Sequence, residues 1–443
     1  MISHDDIEFG TLTDVGVRRS HNQDSYVALP AGDAEQWQLR GHVFVVADGM
    51  GAHAVGELAS KLAADAIPHI YAKYAHEGPV AAIRKAFIEA NVAIHTRGQQ
   101  NREFEGMGTT ATAIMLRPEG LWVGHVGDSR AYRVRGGKIE QLSFDHSLVW
   151  ELARRQRKKP EELQGIPSNV IVRSLGPEPI VQVDVEGPHA VEPGDVFILC
   201  SDGLSGPVHD REMGAAASAL PPGEACRFLI SLANLQGGPD NITAVVVRMA
   251  KGGGNRGSAN GQASSSGLTT RQQPVSLSPF LKRFWMFVPL VLGIVLAMLA
   301  IVLTYHELPG KIPTFLAAAV TLVVGMAGLL VQSLNEKKKP QEDAWVPRTK
   351  VYRQTSCEID RAAVDKVMQA VTDLEGRIVE KSWSADWNSC RELRQQADRH
   401  VKNDRLADAF RATCRALMIL MDAVQQQRGK EESFRPLWDK HAG

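Results

Sequence analysis

The chain has no surplus of charge of either sign. Its 443 residues hold 50 Lys and Arg against 50 Asp and Glu, so no overall field draws it to a polyanion and no nucleic-acid partner is expected. Cysteine is scarce. The five, Cys200, Cys226, Cys357, Cys390 and Cys414, lack the paired spacing of a disulfide framework or a zinc site, and three fall in apolar strand or helix patterns, which suits a reducing compartment. The opening MISHDDIEFG is polar and acidic, so no cleavable signal peptide is expected. No glycine-rich loop ends in Lys-Ser or Lys-Thr, which removes the usual nucleotide-phosphate cradle.

What the sequence does hold is a set of apolar runs that end at aspartate. VFVVADGMGAH (43–53) is a β-branched run broken by Asp48 and followed by Gly49 and Gly51, the pattern of a strand buried on both faces that delivers a carboxylate to its end. LWVGHVGDSRAY (121–132) runs into Asp128, and DVFILCSDGL (195–204) into Asp202 and Gly203. PDNITAVVV (239–247) reverses the order, with Asp240 entering a Val-rich strand, and RRSHNQDS (18–25) adds Asp24. Five carboxylates gathered without a cation would repel one another and some would take up protons. Hard divalent ions such as Mg²⁺ or Mn²⁺ prefer such oxygen ligands, so the pattern predicts a two-metal carboxylate site.

These segments occur in order with MGTTATAIML (107–116), QLSFDHSLV (141–149) and VRSLG (172–176). Together they resemble the metal-dependent protein phosphatases of type 2C, the PPM family, in its bacterial form, over residues 1–250. The resemblance implies an α+β fold: a PPM-type β-sandwich flanked by helices. Two helices are expected, at about 56–74 with Leu58, Leu62, Ala66 and Ile70 on one face, and about 79–98 with Ala82, Ala86, Ile88 and Ile94.

The resemblance also implies roles. Asp48 would bridge two Mn²⁺ or Mg²⁺ ions, Gly49 would lend a carbonyl to one, and Asp202 and Asp240 would hold the other. Asp24 and Asp128 match residues that in relatives reach the metals through water or hold a third, weaker ion. A water shared by the two ions would become hydroxide near neutral pH and attack phosphorus directly. Arg19, five residues before Asp24, would grip the phosphate with its fork of donors; Arg18 is the alternative. His53 is the candidate general acid or substrate-orienting group, against a purely structural histidine. Thr109 and Thr110 would pack behind the site. Asp145 and His146 stand near the start of a mobile flap, 147–170, whose ARRQRKK run reads as a solvated helix face or as an attractor of acidic phosphoprotein segments. Gln23 replaces the Glu of many relatives and Ala52 a common Gly. No cysteine has an arginine six residues downstream, which disfavours thiol-based phosphatase chemistry.

Beyond residue 250 the composition changes. Residues 251–283 read as a flexible linker. Two uncharged stretches follow, 284–305 and 314–331, each suited to a membrane-crossing helix, and together they make a transmembrane hairpin (284–333). Lys282 and Arg283 before it and Lys337 to Lys339 after it place both large parts on the cytoplasmic side of the cell's inner membrane. An extended connector (334–355) leads to a small all-α bundle at 356–443. Its three apolar stripes run Val364 to Ile378, Trp387 to Val401 and Leu406 to Val424, with Gly429 as the stop. This bundle either packs on itself and self-associates or docks a partner. The expected protein is thus a membrane-anchored phosphatase acting on phosphoserine and phosphothreonine in kinase substrates. The competing expectation is a non-catalytic scaffold with a silent phosphatase fold.

Overall fold

Strands apolar on both faces need cover on both sides, and in the computed structural model two facing sheets and outer helices supply it. The structure describes residues 3–51, 55–163, 165–167, 169–250, 298–299, 301, 319–320 and 349–433. The chain divides into two compact units, Met1–Arg256 with Pro347–Gly443, and Gly257–Val346.

In the first unit the strands are β1 (Ile7–Asp14), β2 (Asp24–Leu29), β3 (His42–Met50), β4 (Gly108–Thr109), β5 (Ala111–Arg117), β6 (Gly120–Val126), β7 (Arg130–Arg135), β8 (Lys138–Gln141), β9 (Asp184–His189), β10 (Val196–Cys200), β11 (Ile242–Met249) and β12 (Arg353–Ser356). One sheet has the order β1-β11-β10-β7-β8-β12. The other runs β2-β3-β5-β6-β9, with β4 pairing to β3. Every pairing described is antiparallel. Phe44, Val46 and Ile114 of one sheet meet Phe197, Leu199 and Val247 of the other in a dry interior. This is the sheet-and-helix sandwich that the resemblance implies.

The helices are α1 (Ala34–Leu39), α2 (Val55–Tyr74), α3 (Pro79–Gln99), α4 (Leu148–Gln156), α5 (Asp202–Ser205), α6 (Asp210–Ala219), α7 (Pro222–Leu235), α8 (Arg361–Glu380), α9 (Trp387–Lys402) and α10 (Leu406–Ser433). One expected face is corrected, and one residue of a second. In α2 the buried residues are Ala59, Ala63, Ile67 and Tyr71, one position beyond the Leu58, Leu62, Ala66, Ile70 stripe, which is only half-buried. In α3 the expected Ala82, Ala86 and Ile94 are buried, together with Ile83 and Phe87, but the expected Ile88 is exposed. Small alanines allow close approach, so the face richest in large side chains is not the face that packs. The last helix also runs past Gly429 to Ser433.

The C-terminal helices do not form a bundle closed on itself. α8 and α10 share one apolar core with α6 and α7: Met213, Phe228 and Leu232 lie in the same cluster as Val364, Leu374, Phe410 and Leu417. The rings of Phe228 and Phe410 meet edge to face with centroids 6.2 Å apart. Around this core Arg227 pairs with Asp422 at 2.9 Å, Arg415 with Glu224 at 2.8 Å and Lys366 with Glu212 at 2.8 Å. Part of the expected connector is a strand. β12 extends the first sheet beyond β8, in register from Arg353 opposite Gln141 to Ser356 opposite Lys138. Arg353 then bonds Glu161 (2.9 Å) and Asp210 (2.8 Å). Periodicity reveals that a helix has an apolar face; it does not reveal what covers that face.

The two expected membrane spans lie almost wholly outside the described residues. Those described within them, 298–299, 301 and 319–320, are helical and exposed. No helix among the described residues is long and apolar enough to cross a membrane.

A shared core makes a specific prediction. Phe410→Ala should cost about 3–5 kcal/mol in urea unfolding, and the loss should appear in the same transition that unfolds the sheets. A separate early transition for the helices would show that the bundle stands alone.

Candidate metal centre

Strand register brings the acidic residues together. Asp24 opens β2 and lies opposite Asp48 of β3 in the ladder. Asp202 begins α5 directly after β10, Asp240 stands two residues before β11, and Asp128 lies in the short link from β6 to β7, where the chain passes between sheets. All five therefore gather at one end of the sandwich. Asp48 feels the charges of Asp24, Asp202, Asp128 and Asp240.

The cluster is fixed by neutral donors. Asp24 Oδ2 accepts from Ser201 Oγ and Thr243 Oγ1, each at 2.7 Å, which ties a second-sheet carboxylate to the first sheet. The carbonyl of Asp48 accepts from Thr109 Oγ1 and from the Thr110 N–H, both at 2.8 Å, so the two threonines support the site as expected. Two glycines are obligatory for close approach. A Cβ on Gly49 would lie 2.1 Å from the Gly56 carbonyl oxygen, and one on Gly203 would lie 1.9 Å from that of Asn241. Gln23 donates its amide to the Gly51 carbonyl at 3.3 Å, a bond that an ionised Glu there would lack the proton to make.

Burial and mutual repulsion push these carboxyls upward. Asp24 rises to about 7 and Asp128 to about 8, burial being the larger cause in both, with Asp202 adding repulsion. Asp48 rises well above the usual range and Asp202 rises too, each from burial first; Asp202 also shares a hydrogen bond with Asp48. Oδ1 of Asp24, of Asp128 and of Asp202 are buried without a hydrogen-bond partner. Buried, unsatisfied, mutually repelling carboxylate oxygens are the donor set that hard cations require, so the residues fit the two ions that the resemblance implies.

The ligand set is nevertheless not closed. Among the described residues no group of three or more His, Cys, Asp or Glu is posed to hold an ion. Asp240 is engaged elsewhere: its Oδ2 accepts from Arg19 Nη2 at 2.8 Å while its Oδ1 accepts the Asn241 N–H at 2.9 Å. Convergence of the charges is the firmer indication, because turning one partly exposed carboxylate from a half-exposed arginine costs little. Arg19 is thereby placed at the cluster. His53 lies outside the described residues, as does Ala52.

Four supporting residues, Arg130, Asp184, Ser201 and Asn241, were not singled out by sequence reasoning. Arg130 is buried and pairs with Asp145 at 2.7 Å, and its charge eases the ionisation of Asp128 and Asp202. His146 Nδ1 accepts the Gly127 N–H at 3.0 Å and its Nε2 faces Asp184 at 3.1 Å, so Asp145 and His146 act from behind the Asp128 turn. Asn241 donates to the Val15 and His21 carbonyls and accepts the Gln23 N–H, clamping both ends of the loop that carries Arg19. Ser201 and Asn241 sit inside the CSDG and PDNIT motifs and were legible there; Asp184 stands in no motif. In the flap region α4 is followed by a short turn at Pro160–Glu162, and the basic residues from Arg154 to Lys159 are exposed.

With this geometry established, the chain was compared with known proteins. Residues 11–154 match the family model for Protein phosphatase 2C. The chain is 35% identical over 250 residues to the serine/threonine protein phosphatase PstP of Mycobacterium tuberculosis, a match that takes in 54% of this chain and 44% of PstP. It is 34% identical over 258 residues to the protein phosphatase PhpP of Streptococcus pneumoniae, 55% of this chain and 98% of PhpP. Among solved structures, the catalytic domain of PstP in complex with two manganese ions is 33% identical over 55% of this chain and 98% of that one, with a TM-score of 0.47.

The raised carboxyls give a signed prediction. Without a cation the folded Asp24 and Asp128 hold protons from about pH 4 up to about 7 and 8, which the unfolded chain has released, so their contribution to stability falls as pH rises through that window. An ion that needs them ionised should reverse this. The rise in melting temperature on adding Mn²⁺ to chelator-treated protein should therefore grow between pH 5.5 and 8, and shrink sharply in Asp48→Asn. A rise independent of pH and of Asp48 would place the ions elsewhere.

Proposed function

Because the chain belongs to the protein phosphatase 2C family, we propose that it is a membrane-anchored serine/threonine phosphoprotein phosphatase. The observation that carries this reading is the convergence of five aspartates from both sheets on one end of the sandwich, with buried oxygens lacking partners and Arg19 beside them. Asp48, the Gly49 carbonyl, Asp202 and Asp240 would hold two Mn²⁺ or Mg²⁺ ions, with Asp24 and Asp128 in support and a third ion within their reach. When bound, such a pair supplies the Lewis acidity that turns water into a nucleophile near neutral pH and neutralises charge on phosphorus.

The chain's own residues do the rest. Ser201 and Thr243 hold Asp24 in place, and Thr109 and Thr110 hold the Asp48 carbonyl. Arg19 and an ion compete for the same Asp240 carboxylate. Once Asp240 turns inward, the half-exposed guanidinium is free to take two phosphoryl oxygens in a bidentate grip. His53 is proposed to orient the phosphoryl group or to protonate the leaving alkoxide. The exposed basic face from Arg154 to Lys159 would attract acidic segments around a phosphorylated Ser or Thr.

The membrane reading rests on the uncharged stretches 284–305 and 314–331 and on Lys282, Arg283 and Lys337 to Lys339 flanking them. They support an anchor with the 1–250 catalytic part and the C-terminal helices both facing the cytoplasm, joined to the hairpin by the 251–283 linker and the 334–355 connector. Its substrates would be proteins phosphorylated by a Ser/Thr kinase.

The full chain in non-ionic detergent with Mn²⁺ should release phosphate from a phosphothreonine peptide and from p-nitrophenyl phosphate, and chelation should stop it. Asp48→Asn and Asp202→Asn should each lower kcat by 100-fold or more, and Arg19→Ala should act mainly on KM. If the Mn²⁺-loaded chain leaves both substrates intact, the phosphatase reading is wrong.

A further inference from the structure

Between the loop after β1 and helices α8 and α10 lies a cavity of about 520 Å³, within the usual size range of small-molecule sites. Its body is apolar, formed by Val15 and Val17 from the loop, Leu374 from α8, Met421 and Val424 from α10, and the ring of Trp383. Its charged lining is chiefly cationic. Arg377 and Lys381 lie one helical turn apart, both exposed. Lys381 Nζ stands 4.6 Å from the centre of the Trp383 ring, and among the described residues no carboxylate is recorded in an ion pair with either cation. The single acid in the lining, Asp14, already accepts on Oδ1 from the Gly16 N–H at 2.8 Å and from Asn234 Nδ2 at 3.1 Å.

An apolar chamber with an aromatic wall and two exposed cations at its rim is complementary to one kind of molecule. We propose that this cavity binds a small amphipathic organic anion, an alkyl or aryl body carrying one carboxylate or phosphate, and that its occupancy is felt at Arg19. The route to Arg19 is short and bonded. The Val15 carbonyl accepts from Asn241 Nδ2 at 3.0 Å, and the N–H groups of Val17 and Arg18 donate to the Gly238 carbonyl at 2.9 and 3.2 Å. Arg19 follows directly and holds Asp240. A ligand resting on Val15 and Val17 therefore presses on the loop that sets the guanidinium, while Leu374 of α8 and Met421 and Val424 of α10 line the cavity with them.

Equilibrium dialysis of radiolabelled decanoate against the full chain in non-ionic detergent, with a detergent-only blank, tests the site. One decanoate should bind per chain, with decanol at least tenfold weaker. Arg377→Glu with Lys381→Glu should weaken decanoate at least tenfold, and Val424→Trp, which fills the chamber without changing charge, should do the same. Both cations are exposed, so the charge variant should keep the wild-type melting temperature. Binding no greater than the blank, or unchanged in both variants, or equal for decanol, overturns the proposal. Competition with lysophosphatidylglycerol separates sources: displacement assigns the site to a lipid, its absence to a soluble acid. The link to Arg19 rests on the phosphatase reading and is read as KM for the phosphothreonine peptide, which saturating decanoate should change at least threefold in the wild type and not in Val424→Trp. An unchanged KM overturns the link. A wild type without turnover sinks the phosphatase reading instead and leaves the binding result standing.

Discussion

Like charge gathered at a largely buried end of the sandwich is the constraint around which this molecule is built. Asp24, Asp48, Asp128 and Asp202 sit at the end of a dry sandwich, and each is driven toward its protonated form by burial before any neighbour is counted. A chain that holds such groups so close must either protonate them or supply positive charge. Arg19 at Asp240 and Arg130 behind Asp145 supply some of it. The unsatisfied oxygens mark where more is needed.

The two sheets explain why the strain persists. Thr243 belongs to the first sheet, Ser201 directly follows its strand β10 and Asp24 belongs to the second, so the carboxylates cannot spread apart without separating the layers. The dry contact of Phe44, Val46 and Ile114 with Phe197, Leu199 and Val247 resists that separation. The energy of packing is in this way spent on holding chemistry in an unfavourable but useful arrangement, and the stiff end of a sandwich can do this where a loop could not.

The C-terminal helices change how the whole is understood. They complete the outer cover of the first sheet, and β12 adds a strand to that sheet, so sequence separated from residue 250 by residues 251–348 returns to finish the same unit. Arg353 reaches both α6 and the turn after α4. The part of the chain most remote in sequence from Asp48 thus borders both the loop before Arg19 and the segment after His146.

Local chemistry was enough to identify the strands that end in aspartate and the five acidic residues, because a β-branched run closing on Asp-Gly can be recognised without its neighbours; the arginine before Asp24 and the supporting threonines came from the resemblance to the family. Which face of α2 packs, what covers the stripe from Leu406 to Val424, and that Asp184 stands behind His146 were decided in three dimensions. Each depends on what lies opposite, and a periodic pattern carries one side of a contact only. Even Asp240 follows this rule: its place in PDNIT marks it as a candidate ligand, but its orientation toward Arg19 is set by two side chains 221 residues apart meeting across the fold.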